Sequence, residues 1–248
     1  MRTFLVKAWR LYFLLNFLIT LLFFYWIFRI LLPRPRYHAL AHRLQVLWAT
    51  WLLRTTGIRW RIYGQENLPA QGGYIVVANH SSALDILLMY KCIPRPFHFI
   101  AKIEHARTPL FGVMFGHTHI PLNRASAIQS AKALERAAAD LARGIPIVIF
   151  PEGTMNKSGK GLLPFKEGAF HLAMKMGVPV VPVAFPDHPR LLPRIYELFY
   201  PKGGPGLSRI YIGPPLLPKG GIHTGKELKE AARAFIEKCI SESKPDGL

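Results

Sequence analysis

The chain has 248 residues, enough for one substantial core but short for two such domains plus a membrane segment. Its 32 Lys and Arg stand against 14 Asp and Glu, and the net charge of +18 favours anionic partners, either nucleic acid or anionic lipid. Half of the residues are hydrophobic and the mean hydropathy is +0.19, which argues against a soluble nucleic-acid binder and for a lipid surface.

From Leu11 to Phe28 only Asn16 and Thr20 interrupt an apolar run. At about 1.5 Å per residue, a helix of that length nearly matches a hydrocarbon core of about 30 Å. No small-residue cleavage site follows, and the run continues into Pro33-Arg34-Pro35-Arg36, so the segment is expected to remain in the mature protein. Arg2, Lys7 and Arg10 precede it and Arg29, Arg34 and Arg36 follow it, so the flanking charges give little asymmetry from which to read an orientation. Residues 38–54 set Leu40, Leu44, Leu47 and Trp51 at helical spacing among basic residues and Trp48. That pattern predicts an interfacial amphipathic helix, against the alternative of a helix facing a soluble core.

Beyond Gly57 short β-rich runs alternate with helical stretches, the signature of an α/β domain. Ile58, Trp60 and Ile62 alternate with arginines as in a half-buried strand, and residues 97–101 read as another strand. Residues 74–78, 146–150 and 178–185 are compact Val- and Ile-rich runs suited to central strands covered on both faces. Ser126 with Gln129 predicts a capped helix ending near Gly144, and Thr224 with Glu227 predicts the start of the last helix. Residues 201–221 read as loops around one strand, 208–212. Cys92 and Cys239 form no ligand pattern and are expected to be reduced core residues. His117 and His119 would share a face on a strand, but with no carboxylate or third ligand evident, no metal site is expected.

Two segments carry the chemistry. The first, Asn79-His80-Ser81-Ser82-Ala83-Leu84-Asp85, follows a strand and precedes a helix, the position where α/β proteins set their sites. Imidazole titrates near neutral pH and is suited to taking a hydroxyl proton, and an Asp is suited to holding its tautomer and stabilising the imidazolium. The same spacing also fits a surface loop with a helix-capping Asp. The second, Phe150-Pro151-Glu152-Gly153-Thr154, again follows a strand and runs through a basic loop. A carboxylate beside Gly and Thr can hold polyol hydroxyls while backbone N–H groups receive a phosphate, although a plain turn with solvated charge fits as well.

The segment 79–85, then Pro121-Leu122-Asn123-Arg124-Ala125-Ser126, then the segment 150–154 with its tail Leu162-Leu163-Pro164-Phe165-Lys166-Glu167-Gly168-Ala169-Phe170, then residues 178–185, come in that order. Together they resemble the four blocks of the lysophosphatidate (1-acylglycerol-3-phosphate) acyltransferase family. The resemblance implies transfer of a fatty acyl group from acyl-CoA or acyl carrier protein to the free hydroxyl of lysophosphatidic acid, with no metal or bound cofactor. It implies His80 as general base with Asp85 as its partner, Arg124 on the acceptor phosphate, and Glu152, Gly153 and Thr154 as the acceptor-binding turn. It also implies a two-helix membrane module, expected at residues 1–56. An α/β catalytic domain is expected at 57–248, with a mixed or mostly parallel sheet flanked by helices.

Two positions depart from the family pattern. Asn123 stands where an Asp is frequent and Met155 where an Arg is frequent, which removes a bidentate phosphate ligand. Lys157, Lys160 and Lys102 are expected to supply charge instead. The departure at 155 keeps open another lysophospholipid or lyso-aminolipid acceptor, while a thioesterase or a non-catalytic anionic-lipid-binding module are the readings from outside this chemistry. The expected partners are membrane phospholipids and the lysolipid, with no nucleic acid. The catalytic domain is expected on the cytoplasmic face, where acyl-CoA and acyl carrier protein are found.

Overall fold

The apolar N-terminal run forms helix α1, Arg2–Leu31, which turns back at Pro33 and Pro35 into α2, His38–Thr55. In the computed structural model the described residues are 2–103, 112, 117–123, 125–158, 160–195, 197–218 and 223–243. The two polar residues inside the apolar run are used between these helices. Asn16 Nδ2 donates to Thr55 Oγ1 at 2.9 Å, and Trp48 Nε1 donates to Thr20 Oγ1 at 2.9 Å. Leu21, Phe28 and Leu32 of the hairpin are buried against Ala41 and Trp48.

Helix α2 has two apolar faces. Ala49, Leu52 and Leu53 pack into the main core, whereas Leu40, Leu47 and Trp51 point outward. They join Leu15, Ile19, Leu22, Phe23, Trp26 and Ile30 of α1 among the exposed large apolar side chains, Phe23 and Trp26 being 69% and 66% exposed. An exposed apolar surface of this extent is unusual on a soluble monomer. Arg10, read from sequence as a flanking charge, is 3% exposed and donates instead to five backbone carbonyls between Pro193 and Lys202. Trp9 Nε1 donates to Thr56 O at 2.8 Å, so the start of α1 is fastened to the α/β domain.

The remaining elements, in chain order, are β1 Ile58–Tyr63, β2 Ile75–Ala78, α3 Leu84–Cys92, β3 His98–Lys102 and β4 Ile120–Leu122. They continue as α4 Ala127–Ala142, β5 Ile147–Ile149, α5 Gly168–Met176, β6 Val180–Ala184, α6 His188–Leu191, β7 Gly206–Ile212 and α7 Gly225–Glu242. The seven strands make one sheet in the order β1-β7-β6-β2-β5-β3-β4. Every neighbouring pair is parallel except β6 and β7, so β1 and β7 run against the other five. The fold is therefore α/β with a mostly parallel sheet, as expected.

The period of two along each strand sorts the core into two halves. Val76, Val148, Val181 and Ile210 face α2 and α3, while Ile75, Val77, Ile147 and Val180 face α4, α5 and α7. Helix α7 begins with the full capping box of Thr224 and Glu227. At α4 only half of the expected box forms: Ser126 accepts from Gln129 N–H, while the Gln129 side chain accepts from Asn123 Nδ2. Strand β4 and the one-turn α6 were not read from sequence. His117 and His119 do not lie on a strand: His117 is helical and exposed, and His119 is buried. Cys92, buried, and Cys239, half-buried, are both free.

Candidate active site

Strand β2 lies at the centre of the sheet and carries the chain to Asn79 at its C-terminal end, with β6 on one side and β5 on the other. Asn79 staples the ends of β2 and β6 together: its Nδ2 donates to Phe185 O at 3.2 Å and its Oδ1 accepts from Phe185 N–H at 2.8 Å. The next residue is His80. Its Nδ1 lies 2.8 Å from Asp85 Oδ2, while Nε2 carries no hydrogen bond from the described residues and 15% of the side chain is exposed. The ring stacks on Phe150, with centroids 4.2 Å apart, and Phe150 stacks in turn on Phe99.

Asp85 sits in the first turn of α3 and is completely buried, which is tolerable only because both oxygens are engaged. Oδ2 accepts the N–H groups of Ser81 at 2.7 Å and Ser82 at 2.9 Å besides facing His80. Oδ1 lies 2.5 Å from Nδ1 of His188, a residue that sequence reasoning missed. Burial alone would raise the carboxyl's pKa, but the hydrogen bonds and charge of His188 and His80 outweigh it and hold the group at about 2. The helix N-terminus favours the same ionised state. An ionised, immobile Asp behind a partly open imidazole has the arrangement of a general base with its orienting partner.

Ser82 ties this loop to the segment after α6, its Oγ donating to Leu192 O at 2.7 Å. The Ser81 hydroxyl is buried with no hydrogen-bond partner among the described residues, and Ser81 lines a cavity of about 690 Å³, with Asn79, Glu152, Phe185, Arg190 and Lys202 also in its walls.

The second segment folds as a tight turn at the end of β5, in which Gly153 N–H donates to Phe150 O at 3.0 Å and Gly153 takes φ 75°. The turn buries Glu152, and its carboxylate accepts two backbone N–H groups. Its Oε1 accepts His80 N–H at 2.8 Å and its Oε2 accepts Leu163 N–H at 2.9 Å. Asn156 N–H returns to His80 O at 2.7 Å. Burial pushes the Glu152 carboxyl above its ordinary value, against the lowering effect of those two backbone donors. Glu152 thus clamps the basic loop against the backbone of His80.

Thr154, Lys157 and Lys160 are exposed along the same loop. Lys102, also exposed, lies at the end of β3, level with Leu122 of β4 in the register of the two strands. The C-terminal strand ends thus bring Lys102 and the 120–122 segment to the same sheet end as the two histidine-bearing and glutamate-bearing loops. Asn123, one of the two departures from the family pattern, turns the chain into α4: its Oδ1 accepts Ala125 N–H at 3.0 Å and its carbonyl accepts Ser130 Oγ–H at 2.8 Å. Arg124 lies outside the described residues. Among the described residues no cluster of three or more His, Cys, Asp or Glu side chains has the arrangement of a metal site.

The acyltransferase family model matches residues 59–186, from β1 to the residue two before His188. A putative 1-acyl-sn-glycerol-3-phosphate acyltransferase of Caenorhabditis elegans is 34% identical over 160 residues, covering 63% of this chain and 52% of its own. The 1-acyl-sn-glycerol-3-phosphate acyltransferase alpha of Mus musculus is 33% identical over 186 residues, covering 72% of this chain and 61% of its own. The chain spans about half the length of the curated relatives it matches. The crystal structure of the 1-acyl-sn-glycerophosphate acyltransferase of Thermotoga maritima superimposes with a TM-score of 0.81 at 25% identity, covering all of both chains. The matched segment contains the His80–Asp85 pair, the Glu152 clamp and the five-stranded parallel core that carries them, and on this evidence the chain belongs to the acyltransferase family.

Proposed function

We propose that the protein transfers a fatty acyl group from a thioester carrier, acyl-CoA or acyl carrier protein, to the free sn-2 hydroxyl of lysophosphatidic acid, forming phosphatidic acid. The observation that carries the reading is the His80–Asp85 contact at 2.8 Å at the sheet's C-terminal end, with Nε2 of His80 bonded by none of the described residues. The names of the relatives in worm, mouse and Thermotoga supply the substrate class. His80 takes the proton of the acceptor hydroxyl at Nε2, and Asp85 stabilises the imidazolium that forms. The oxygen attacks the thioester carbonyl, the tetrahedral intermediate collapses with cleavage of the C–S bond, and His80 returns the proton to the leaving thiolate. No acyl-enzyme is needed.

Lys157, Lys160, Lys102 and Arg124 are assigned to the acceptor phosphate, and Gly153 and Thr154 to the acceptor-binding turn. Glu152 acts from behind, by fixing the lysine-bearing loop to the His80 backbone. Residues 1–56 serve as the membrane anchor and 57–248 as the catalytic domain. The anchor lies in one leaflet with the outward side chains of α1 and α2 among the acyl chains, a reading supported by the fastening of Arg10 and Trp9 to the domain. The net charge of +18 favours anionic phospholipids beneath it. The cytoplasmic face is where both carriers are available.

The test is acyl transfer by purified protein in detergent, offering labelled oleoyl-CoA and acyl carrier protein thioester with a panel of lysolipids. Selective conversion of lysophosphatidate is expected. Preference for a zwitterionic lysolipid or a lyso-aminolipid would show instead that Met155 marks a changed head-group site. Hydrolysis of the carrier without an acceptor would point to a thioesterase.

A further inference from the structure

Asp85 is shared by two histidines, and the reaction proposed above uses one of them. His188 opens α6 and is completely buried. Its Nδ1 lies 2.5 Å from Asp85 Oδ1, its Nε2 lies 2.7 Å from Ser208 Oγ in the middle of β7, and its ring stacks on Phe185 with centroids 4.7 Å apart. An imidazole with both nitrogens engaged and no exposed surface has no path to a substrate. It can act on the reaction only through Asp85.

The proton assignment follows from which groups can donate. The ionised carboxylate only accepts, so His188 carries a proton on Nδ1 and donates it to Asp85, while its Nε2 shares a hydrogen bond with the Ser208 hydroxyl. Oδ2 already receives Ser81 N–H, Ser82 N–H and His80, while among the described residues Oδ1 faces His188 alone. The His188 bond therefore fixes rotation of the carboxylate about its Cβ–Cγ bond, with Oδ2 held toward His80. Among the described residues the other charges near the pair are Asp187, which precedes His188 and pairs with Arg209 of β7 at 2.7 and 2.9 Å and with Arg190 at 3.5 Å, and Glu152, whose charge acts on both Asp85 and His80; His80 itself bonds to Asp85.

We propose that His188, backed by Ser208, is a positioning residue of the acyl-transfer site, locking the Asp85 carboxylate toward His80 and drawing off part of its charge. The proposal rests on the acyl-transfer reading of the site. The sign of its effect is defined. A donor on Oδ1 competes with the His80 imidazolium for the negative charge of Asp85, so removing it leaves more of that charge on Oδ2 and moves the acid limb of the pH–rate profile upward. Loss of the lock separately lowers kcat.

The test compares the wild type with His188→Leu, His188→Asn and Ser208→Ala in purified full-length protein, with His80→Ala alongside. The Asn amide sets an N–H near the position of Nδ1, whereas Leu sets none. His188→Leu should lose about ten- to hundred-fold in kcat, the rate equivalent of a hydrogen bond to a charged group, with KM for both substrates within about two-fold. The acid limb of its kcat/KM profile should move up by roughly half to one pH unit. His188→Asn should restore most of the rate and the wild-type limb, and Ser208→Ala should fall between.

Should His188→Leu fail to fold in a thermal melt, His188→Asn and Ser208→Ala carry the test through the same two readouts. Equal losses in the Asn and Leu variants, or in the Asn and Ser208→Ala variants, with an unmoved acid limb would make His188 a packing residue and overturn the proposal. Wild-type kcat and pH profile in His188→Leu, with His80→Ala inactive, would overturn it too while leaving the acyl-transfer reading intact. Full activity in His80→Ala would instead refute that reading.

Discussion

Arg10 offers a sharp test of how helix α1 meets the α/β domain. Its guanidinium donates to Arg194 O at 2.7 Å, Pro193 O at 2.8 Å and Glu197 O at 2.9 Å, with longer bonds to Lys202 O at 3.1 Å and Leu198 O at 3.3 Å. One of these acceptors belongs to Arg194, which has φ 47°, a conformation unfavourable for a residue with a side chain and maintained here by its surroundings. Arg10→Leu keeps the apolar stem but removes every donor. Three short charge-assisted bonds at about 1.5–3 kcal/mol each set the gross loss, and rehydration of the loop carbonyls returns part of it, so a net cost of about 3 kcal/mol is expected. For a chain of this size that corresponds to a fall of about 6–12 °C in Tm. Arg10→Lys, with three donors that cannot reach five carbonyls, should fall about midway.

The assay is a thermal melt in detergent, paired with limited proteolysis between Pro193 and Lys202. Activity should fall as well, because Leu192, at the start of this segment, accepts the Ser82 hydroxyl of the His80 loop. An Arg10→Leu protein with Tm within about 2 °C of wild type and no new cleavage in the segment would refute the reasoning, since a loop so dependent on one buried cation cannot lose it unnoticed.

Glu152→Gln should destabilise the protein by about 1–3 kcal/mol and lower kcat, because the amide can accept only one of the two backbone N–H groups that the carboxylate holds; a raised KM for the acceptor with an unchanged melt would return Glu152 to direct substrate binding. Gly64→Ala should cost about 2–4 kcal/mol in the same melt, since Gly64 has φ 78° and an added Cβ would lie 2.1 Å from Ile212 O, at the junction of β1 and β7; a neutral result would mean that the sheet edge yields freely. Acid should unfold the protein as pH falls from about 4 toward 2. Asp85, Asp140 and Asp187 all ionise more readily folded than free: burial opposes this, but His188 and His80, then His98 and Arg143, then Arg209 outweigh it, so the stability they contribute above the ordinary carboxyl pKa is lost on protonation. Glu152 is shifted the other way, so its protonation favours the folded state at higher pH, above this window. A stability curve flat across that window would contradict these assignments.

The parts of the fold legible in the sequence were those encoded over short spans. The β-rich runs at 58–62, 75–78 and 147–149 carry their own periodicity, Thr224 and Glu227 announce a helix start three residues apart, and His80 and Asp85 sit within one loop and one turn. What stayed hidden depends on partners far along the chain. Arg10 reads as a flanking charge because its five carbonyls lie more than 180 residues away, and His188 reads as one of ten histidines because its carboxylate lies 103 residues back. The antiparallel join of β6 to β7 follows from how the loop after α6 is routed, which no local pattern in residues 186–205 dictates. Glu152 was noticed as a carboxylate at a strand end, but its use as a clamp depends on backbone N–H groups, which leave no trace in residue identity.

The most direct test of the central claim is the rate of acyl transfer from labelled oleoyl-CoA, or from the acyl carrier protein thioester, to lysophosphatidate by purified wild type and His80→Ala at equal, verified folding. A general base predicts a fall of roughly two to four orders of magnitude in kcat with an unchanged melt. Near wild-type turnover by the His80→Ala protein would contradict the account.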